Sequence, residues 1–240
     1  MARKRSDATV FITGAGGGLG GATARYLAER DWKVFAADFD AKALKALAAE
    51  ADVTPVQLDV TDATSCEAAR RRVARACDGL DGVVNFAGIL AVGSVIEIDP
   101  DTIRRVLDVN VMGTVRVNHA LFPLVLARKG RIVNISSETG WQSAMPFNGA
   151  YALSKHAIEA YSDALRRELM FLDVPVIKIQ PGPFRTGMVA SIEQNFERVD
   201  ERLDELRSEV QRIVAGMCVV RQHRNRHDVA RPDVGGIWGC

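Results

Sequence analysis

Thr13-Gly14-Ala15-Gly16-Gly17-Gly18-Leu19-Gly20 is the stretch of this chain that decides its fold. It follows an apolar run, residues 8–13, that predicts a short buried strand, and it leads into residues 22–28, which predict a helix. Glycines let a main chain approach a pyrophosphate closely, and a helix N-terminus offers free N–H groups. Strand, glycine turn and helix in this order predict a dinucleotide site, the alternative being a merely flexible loop.

Asp38 ends the next predicted strand, residues 33–38. A carboxylate at this point accepts hydrogen bonds from an adenosine ribose and repels a 2′-phosphate. The next two residues are Phe39 and Asp40, and the glycine turn contains no basic residue. The pattern therefore predicts NAD rather than NADP as the cofactor. Asp38 could also be the N-cap of the helix predicted from Ala41, and the two interpretations are compatible.

The rest of the chain alternates strands and helices at the spacing of βαβ units. Such alternation predicts an α/β fold: a Rossmann-type, doubly wound parallel sheet of six to seven strands flanked by helices, in a single domain. The further predicted strands are 53–58, 81–85, 130–135 and 174–180. Two further helices are predicted over 41–50 and 100–127. Another is capped by Thr61 or Asp62 and ends near 76, and the last one holds Tyr151 and ends near 172.

Tyr151 and Lys155 are four residues apart, so they lie on one face of the last predicted helix. A lysine there favours the phenolate form of the tyrosine. The spacing occurs by chance in many helices, but here Ser136-Ser137 closes a predicted strand just before it. Asn110, between two valines, is the other notable polar residue; one interpretation is a core asparagine bonded to its own backbone.

Together these motifs resemble the short-chain dehydrogenase/reductase family over roughly residues 8–190. Two departures are that Phe86 replaces a common second asparagine, and that the interval from Ser137 to Tyr151 is one residue longer than usual. We take Ser137 rather than Ser136 as the residue facing the substrate. The resemblance implies that the cofactor contacts Gly14, Gly18, Leu19, Gly20, Asp38, Asp59, Val60, Asn85, Ala87, Gly88, Tyr151, Lys155, Pro181, Gly182 and Thr186.

The same resemblance implies four catalytic residues. Tyr151 is the general acid and base, and Lys155 lowers its pKa and holds the nicotinamide ribose. Ser137 donates a hydrogen bond to the substrate oxygen. Asn110 positions a water that links Lys155 to solvent.

The function expected is NAD(H)-dependent interconversion of a secondary alcohol and a ketone by hydride transfer. An apolar substrate is favoured, because Trp141, Met145, Phe147, Phe184 and Met188 surround the motifs in sequence, although core packing explains any one of them equally well. The alternatives are an NADP(H)-dependent carbonyl reductase, a non-catalytic NAD(H) sensor, and an interaction protein that uses the helix described next.

Residues 191–216 predict an amphipathic helix with a heptad seam. We favour a lid over the pocket, ahead of a partner-binding helix or one docked on its own core. Residues 217–240 lack the expected last helix and strand and predict a solvated tail with a basic cluster. The seam residues are Ile192, Phe196, Val199, Leu203, Leu206, Val210 and Ile213.

Bulk properties exclude several classes. The 240 residues are 48% apolar and carry a net charge of +1. A net charge this small gives no electrostatic indication of binding to nucleic acid or to a membrane. The four cysteines show no metal spacing, and we expect reduced thiols, no metal and a cytoplasmic protein. No signal peptide or membrane span is predicted. The family resemblance implies a homodimer or homotetramer formed through the two long helices.

Overall fold

A computed structural model describes residues 8–182, which lie in the first of two units of the chain, Met1–Glu197. Six strands form one parallel sheet in the order β3-β2-β1-β4-β5-β6. The order reverses between β1 and β4, which confirms the doubly wound arrangement. The strands are β1 (Thr9–Thr13), β2 (Lys33–Asp38), β3 (Val53–Gln57), β4 (Gly82–Asn85), β5 (Arg131–Ile135) and β6 (Val176–Ile179).

Side chains of each strand alternate between two cores, one on each face of the sheet. Phe11 and Phe35 belong to the core that also holds Leu121 and Ile132. Val10 and Ile12, on either side of Phe11, belong to the opposite core. Because both faces are covered at the centre of the sheet, β1, β2 and β4 are almost wholly buried, whereas the edge strands β3 and β6 are partly exposed.

Most helices agree with their predicted bounds within about three residues, but α1 begins at Gly18, four residues before its predicted start. Asp62 caps α3, accepting from Thr64 N, so it is the cap rather than Thr61. The cap of α2 is Asp40, which accepts from Lys42 N and Ala43 N. The alternative that Asp38 caps this helix is therefore wrong. The helices are α1 (Gly18–Ala28), α2 (Ala41–Glu50), α3 (Ala63–Ala76), α4 (Pro100–Leu107), α5 (Thr114–Ala127) and α6 (Gly149–Leu169).

The continuous helix predicted over 100–127 is wrong in one place. Between α4 and α5 the chain forms a π turn, Asp108–Gly113, which contains Asn110. Gly113 fits this turn because a Cβ there would lie 2.7 Å from Val60 Cγ2. Single π turns inside helices often occur at functional sites, because they redirect side chains. After α6 a 3-10 turn, Met170–Leu172, completes the span predicted as helix.

Several predictions fall outside the described residues: the helix over 191–216, the tail, Phe184, Thr186 and Met188. Within residues 8–182 no helix is both long and apolar enough to cross a bilayer. In the same part of the chain, Cys66 and Cys77 are free thiols, and no group of histidine, cysteine and acidic residues could hold a metal ion.

Candidate active site

The glycine turn lies where β1 and β4 end side by side. Gly14 has a φ of 67°, and a Cβ there would lie 2.7 Å from Ala87 N. Thr13 Oγ1 accepts a hydrogen bond from Ala87 N at 3.1 Å. The turns that follow the two strands are therefore in direct contact, and only glycine allows that approach at position 14.

The N-terminus of α1 suits an anion. Its N-cap is Gly17, which has no side chain, and the first turn contains no acidic residue. A Cβ at Gly20 would lie 2.2 Å from Gly14 O, so the helix packs directly against the turn. Uncapped N–H groups beside a close-packed glycine turn fit the pyrophosphate of a dinucleotide. Gly18 and Leu19, the other residues predicted here, begin α1.

Asp38 and Asp59 are the two carboxylates predicted on the adenosine side. Asp38 Oδ2 accepts from Gly16 N at 2.9 Å, and Asp38 Oδ1 accepts from Asp40 N at 2.9 Å. Asp59 Oδ1 accepts from Thr61 N at 2.8 Å and from Thr61 Oγ1 at 2.6 Å. Main-chain N–H groups thus fix the orientation of Asp38 at the end of β2, next to the glycine turn.

Two predicted cofactor contacts have buried side chains that contact other elements of the protein. Asn85 is 3% exposed, and its Nδ2 donates to Asn118 Oδ1 at 2.8 Å and to Asn134 Oδ1 at 3.0 Å. Val60 is buried against Gly113. Both can offer a dinucleotide only their main chain, and the amide of Asn85 ties β4 to α5 and β5.

Asn110 clamps the segment after β4. Its Oδ1 accepts from Ile89 N at 2.7 Å, and its Nδ2 donates to Ile89 O at 2.9 Å and to Ser154 Oγ at 3.0 Å. Both protons of the amide are therefore used. The water relay to Lys155 stays a prediction, and it would depend on the main chain of Asn110. The alternative, a core asparagine bonded to its own backbone, is wrong, because the partners lie on other elements.

Tyr151, Lys155 and Ser137 converge where β5 meets α6. Lys155 is buried, and its Nζ donates to Ile135 O at 2.9 Å. The same Nζ lies 5.4 Å from the centroid of the Tyr151 ring. Ser137 Oγ accepts from Thr139 N at 3.2 Å, and Ser137 lies close enough to Tyr151 to influence its pKa. Ser136 instead donates from its Oγ to Lys155 O at 3.5 Å, so Ser137 is the serine that faces the tyrosine.

Electrostatics here correct one prediction. Burial raises the pKa of Tyr151 above its ordinary value, although the neighbouring Ser137 works in the opposite direction. Burial also lowers the pKa of Lys155 to about 8, against the opposing charge of Glu159. The expected net lowering of the tyrosine pKa is therefore wrong for this structure, because burial outweighs any effect of the Lys155 charge. The physical reason is that Lys155 bonds to Ile135 O, while burial disfavours the phenolate.

The residues predicted to contact substrate differ in exposure. Trp141 is 63% exposed, next to the turn Glu138–Gly140. Phe147 is buried and has a φ of 63°, a backbone conformation that costs a bulky side chain energy. Its carbonyl accepts from Gly93 N at 2.9 Å, which ties residues 89–99 to the start of α6. On the other side, Pro181 O accepts from Glu138 N, which places Pro181 beside the turn that carries Ser137.

Sequence reasoning missed two residues of this network. Ser154, between Tyr151 and Lys155, donates to Tyr151 O at 2.7 Å while it accepts from Asn110. Glu159 is four residues after Lys155, a spacing that places the two on one helix face and that the sequence already displays. For Ser154, the sequence shows only that a small polar residue lies between Tyr151 and Lys155.

Comparison with known proteins agrees with this geometry. A family model described as short chain dehydrogenase matches residues 8–197. This chain belongs to the short-chain dehydrogenase family.

Two known dehydrogenases are similar to this chain over more than four fifths of its length. Mouse retinol dehydrogenase 7 is 37% identical over 211 residues, which are 86% of this chain and 66% of the mouse protein. Human 17-beta-hydroxysteroid dehydrogenase type 6 is 38% identical over 200 residues, 81% of this chain and 62% of the human one. The chain thus spans less than two thirds of the length of these relatives.

Two solved structures resemble the structure of this chain. A variant actinorhodin polyketide ketoreductase with NADPH superimposes with a TM-score of 0.76 at 27% identity, covering 82% of this chain and 78% of that one. A short-chain dehydrogenase from Streptomyces avermitilis has a TM-score of 0.70 at 31% identity, covering 75% of this chain and 67% of the other.

Proposed function

We propose that this protein is an NAD(H)-dependent oxidoreductase that interconverts a secondary alcohol and a ketone, on a fairly apolar substrate. The observation that carries the proposal is the convergence of Ser137, Tyr151 and Lys155 at the end of β5, on the same edge of the sheet as the glycine turn. A proton-transfer pair beside a dinucleotide turn is what alcohol–ketone chemistry requires.

Each residue has a distinct task. A bound dinucleotide supplies the hydride chemistry at its nicotinamide ring. Tyr151 gives its phenolic proton to the ketone oxygen during reduction and takes the hydroxyl proton during oxidation. Ser137 hydrogen-bonds to the same oxygen, where charge changes during the reaction. Lys155 provides a buried positive charge that favours the phenolate when Tyr151 must act as a base.

A raised pKa for Tyr151 favours the reductive direction at neutral pH. A phenol that holds its proton is a ready acid for the ketone, whereas oxidation first requires the phenolate. The oxidative rate should therefore increase with pH until Tyr151 is deprotonated. The reductive rate should fall over the same interval.

Asp38 supports NAD as the cofactor. Its carboxylate is oriented by Gly16 N and Asp40 N, so a 2′-phosphate placed near it would meet a fixed negative charge. The NADPH in the solved ketoreductase keeps an NADP(H)-linked carbonyl reductase as the second candidate. Asp38→Asn removes the charge with little change in shape, and Asp40→Asn is the matched control because asparagine also caps a helix.

Retinol and hydroxysteroids are the substrates named for the relatives, and they support an apolar substrate class. Exposed apolar side chains near the candidate site agree with this: Trp141 on the turn after β5, and Val95 and Ile96 in the segment tied to Phe147. Such a rim favours a large apolar alcohol over a small polar one.

The experiment is a screen for NADH formation over secondary alcohols graded in size and polarity, together with titration of NADH and NADPH. We expect turnover to favour the larger apolar alcohols, with NADH bound more tightly than NADPH. In Asp38→Asn the preference for NADH should shrink about tenfold, while Asp40→Asn keeps it. Tighter binding of NADPH to the wild type would select the second candidate.

A further inference from the structure

Glu159 continues the helix face that carries Tyr151 and Lys155. Residues four apart on an α-helix lie one above the other, so these three form a ladder along α6. The Glu159 carboxylate lies under the turn Glu138–Gly140, because a Cβ on Gly140 would be 3.1 Å from Glu159 Cγ and 3.0 Å from Lys155 O. The carboxylate is thus enclosed at the base of the catalytic pair.

Two donors hold that carboxylate in place. Lys178 Nζ lies 2.8 Å from Glu159 Oε2, and Gln180 Nε2 donates to Glu159 Oε1 at 2.9 Å. Ser136 lies close enough to lower the pKa of the carboxylate. Burial alone would raise the pKa of Glu159, but Lys178, Ser136 and Gln180 hold that pKa below its ordinary value. Glu159 is therefore ionised at neutral pH, although only 14% of its side chain is exposed.

Lys155 is a buried cation that a nearby carboxylate stabilises in its charged form. It is buried, and its ammonium donates to a neutral carbonyl, Ile135 O. A buried ammonium loses its proton readily unless a negative charge lies nearby. Other ionisable groups on elements packed around it include Tyr151 on α6, Glu138 on the turn after β5, Lys178 on β6, and Asp108 on the π turn, which is paired with Arg116; α4 adds Asp101, Arg104 and Arg105. Glu159 is the charged group that raises the pKa of Lys155.

We propose that Glu159 is a positioning residue that keeps Lys155 in its charged form, and that Lys178 limits its effect by sharing the same carboxylate. This inference rests on the proposed function only in assigning Lys155 a role in proton transfer. The geometry predicts opposite results for the two partners. Removing the charge of Glu159 makes Lys155 easier to deprotonate, whereas removing that of Lys178 makes it harder.

The test is a pH titration of the protein without cofactor, labelled with 13C at the lysine ε-carbons and followed by NMR. The Lys155 signal is identified by its loss in Lys155→Met. In Glu159→Gln the midpoint for Lys155 should fall by about one pH unit, and in Lys178→Met it should rise. Asp163→Asn is the matched control: Asp163 Oδ1 also lies 3.0 Å from Lys178 Nζ, but one turn further from Lys155, so the midpoint should move far less.

Thermal unfolding shows whether a variant still folds, so that a change in the Lys155 midpoint can be told apart from a loss of structure. A Glu159→Gln protein that folds yet leaves the Lys155 midpoint unchanged overturns the proposal. If Glu159→Gln does not fold, Lys178→Met decides alone: a rise supports the proposal, and no rise overturns it. Because this titration needs no substrate, a shifted midpoint in a protein without turnover would uphold the role of Glu159 and remove the proposed function.

Discussion

The two halves of the sheet build their parts of the site differently. The half formed by β1, β2 and β3 uses main chain: a glycine turn, an uncapped helix start, and carboxylates oriented by N–H groups. The half formed by β4, β5 and β6 uses buried side chains that bond across elements, such as Asn85, Asn110 and Lys155. The first half relies on main-chain contacts at the ends of its strands, whereas the second relies on side-chain contacts between segments far apart in the chain.

Tyr151→Phe should separate the two halves most strongly. Loss of the phenolic hydroxyl removes the proton donor, and turnover should fall about 10³-fold or more. Affinity for NADH should stay nearly unchanged, because the glycine turn is untouched. Absorbance at 340 nm reports turnover, and quenching or transfer of protein fluorescence reports binding. Turnover within a few-fold of wild type would remove Tyr151 from the chemistry.

Gly14→Ala should do the reverse, acting on binding and folding. The added Cβ would lie 2.7 Å from Ala87 N in a backbone with a φ of 67°. We expect the free energy of unfolding to fall by about 2–4 kcal/mol, and the affinity for NADH to fall about 100-fold. The control is Gly17→Ala, whose Cβ would lie 3.3 Å from Gly14 O. Equal losses in both variants, measured by denaturant unfolding and NADH titration, would contradict this account of the turn.

Asn110→Ala tests the clamp in the second half. It leaves the N–H and C=O groups of Ile89 without their side-chain partner, and the free energy of unfolding should fall by about 2–3 kcal/mol. Ser154→Ala removes fewer bonds and should cost about 1 kcal/mol. The reverse order in urea unfolding would mean that Ser154, rather than Asn110, holds this region together.

Stability should also depend on pH. Lys155 titrates near 10.5 as a free side chain and near a pKa of about 8 in the folded protein. Between these values the unfolded chain binds the proton more strongly, so the free energy of unfolding rises with pH. Below pH 8 the cost of burying the charge is fully present. The contribution of Tyr151, whose pKa is raised, changes only above its ordinary value of 10.

Thermal melts between pH 8 and 10 measure this effect. Wild-type protein should gain stability with pH relative to Lys155→Met, which lacks the titrating group. Parallel curves for the two proteins would show that burial does not lower the pKa of Lys155.

Local patterns made the fold predictable. Alternating apolar runs and glycine or aspartate boundaries placed the six observed strands within two residues, and the glycine turn lies at the switch point that the structure shows. The π turn at Asn110 was not predicted; the Asn110 side chain bonds to Ile89, 21 residues away, and a local pattern does not reveal such a contact. The pKa of Tyr151 was mispredicted for a similar reason: spacing reveals a neighbouring lysine, but not that its ammonium bonds to Ile135 O.

The most direct measurement follows a hydride from substrate to cofactor. An apolar secondary alcohol that carries deuterium on its carbinol carbon is incubated with NAD and the wild-type protein. The account predicts a ketone product and deuterium on the reduced nicotinamide, with both absent in Tyr151→Phe. NAD that binds but is never reduced across the alcohol series, with no NADH oxidised by the matching ketones, would contradict it and identify a dinucleotide-binding protein without this chemistry.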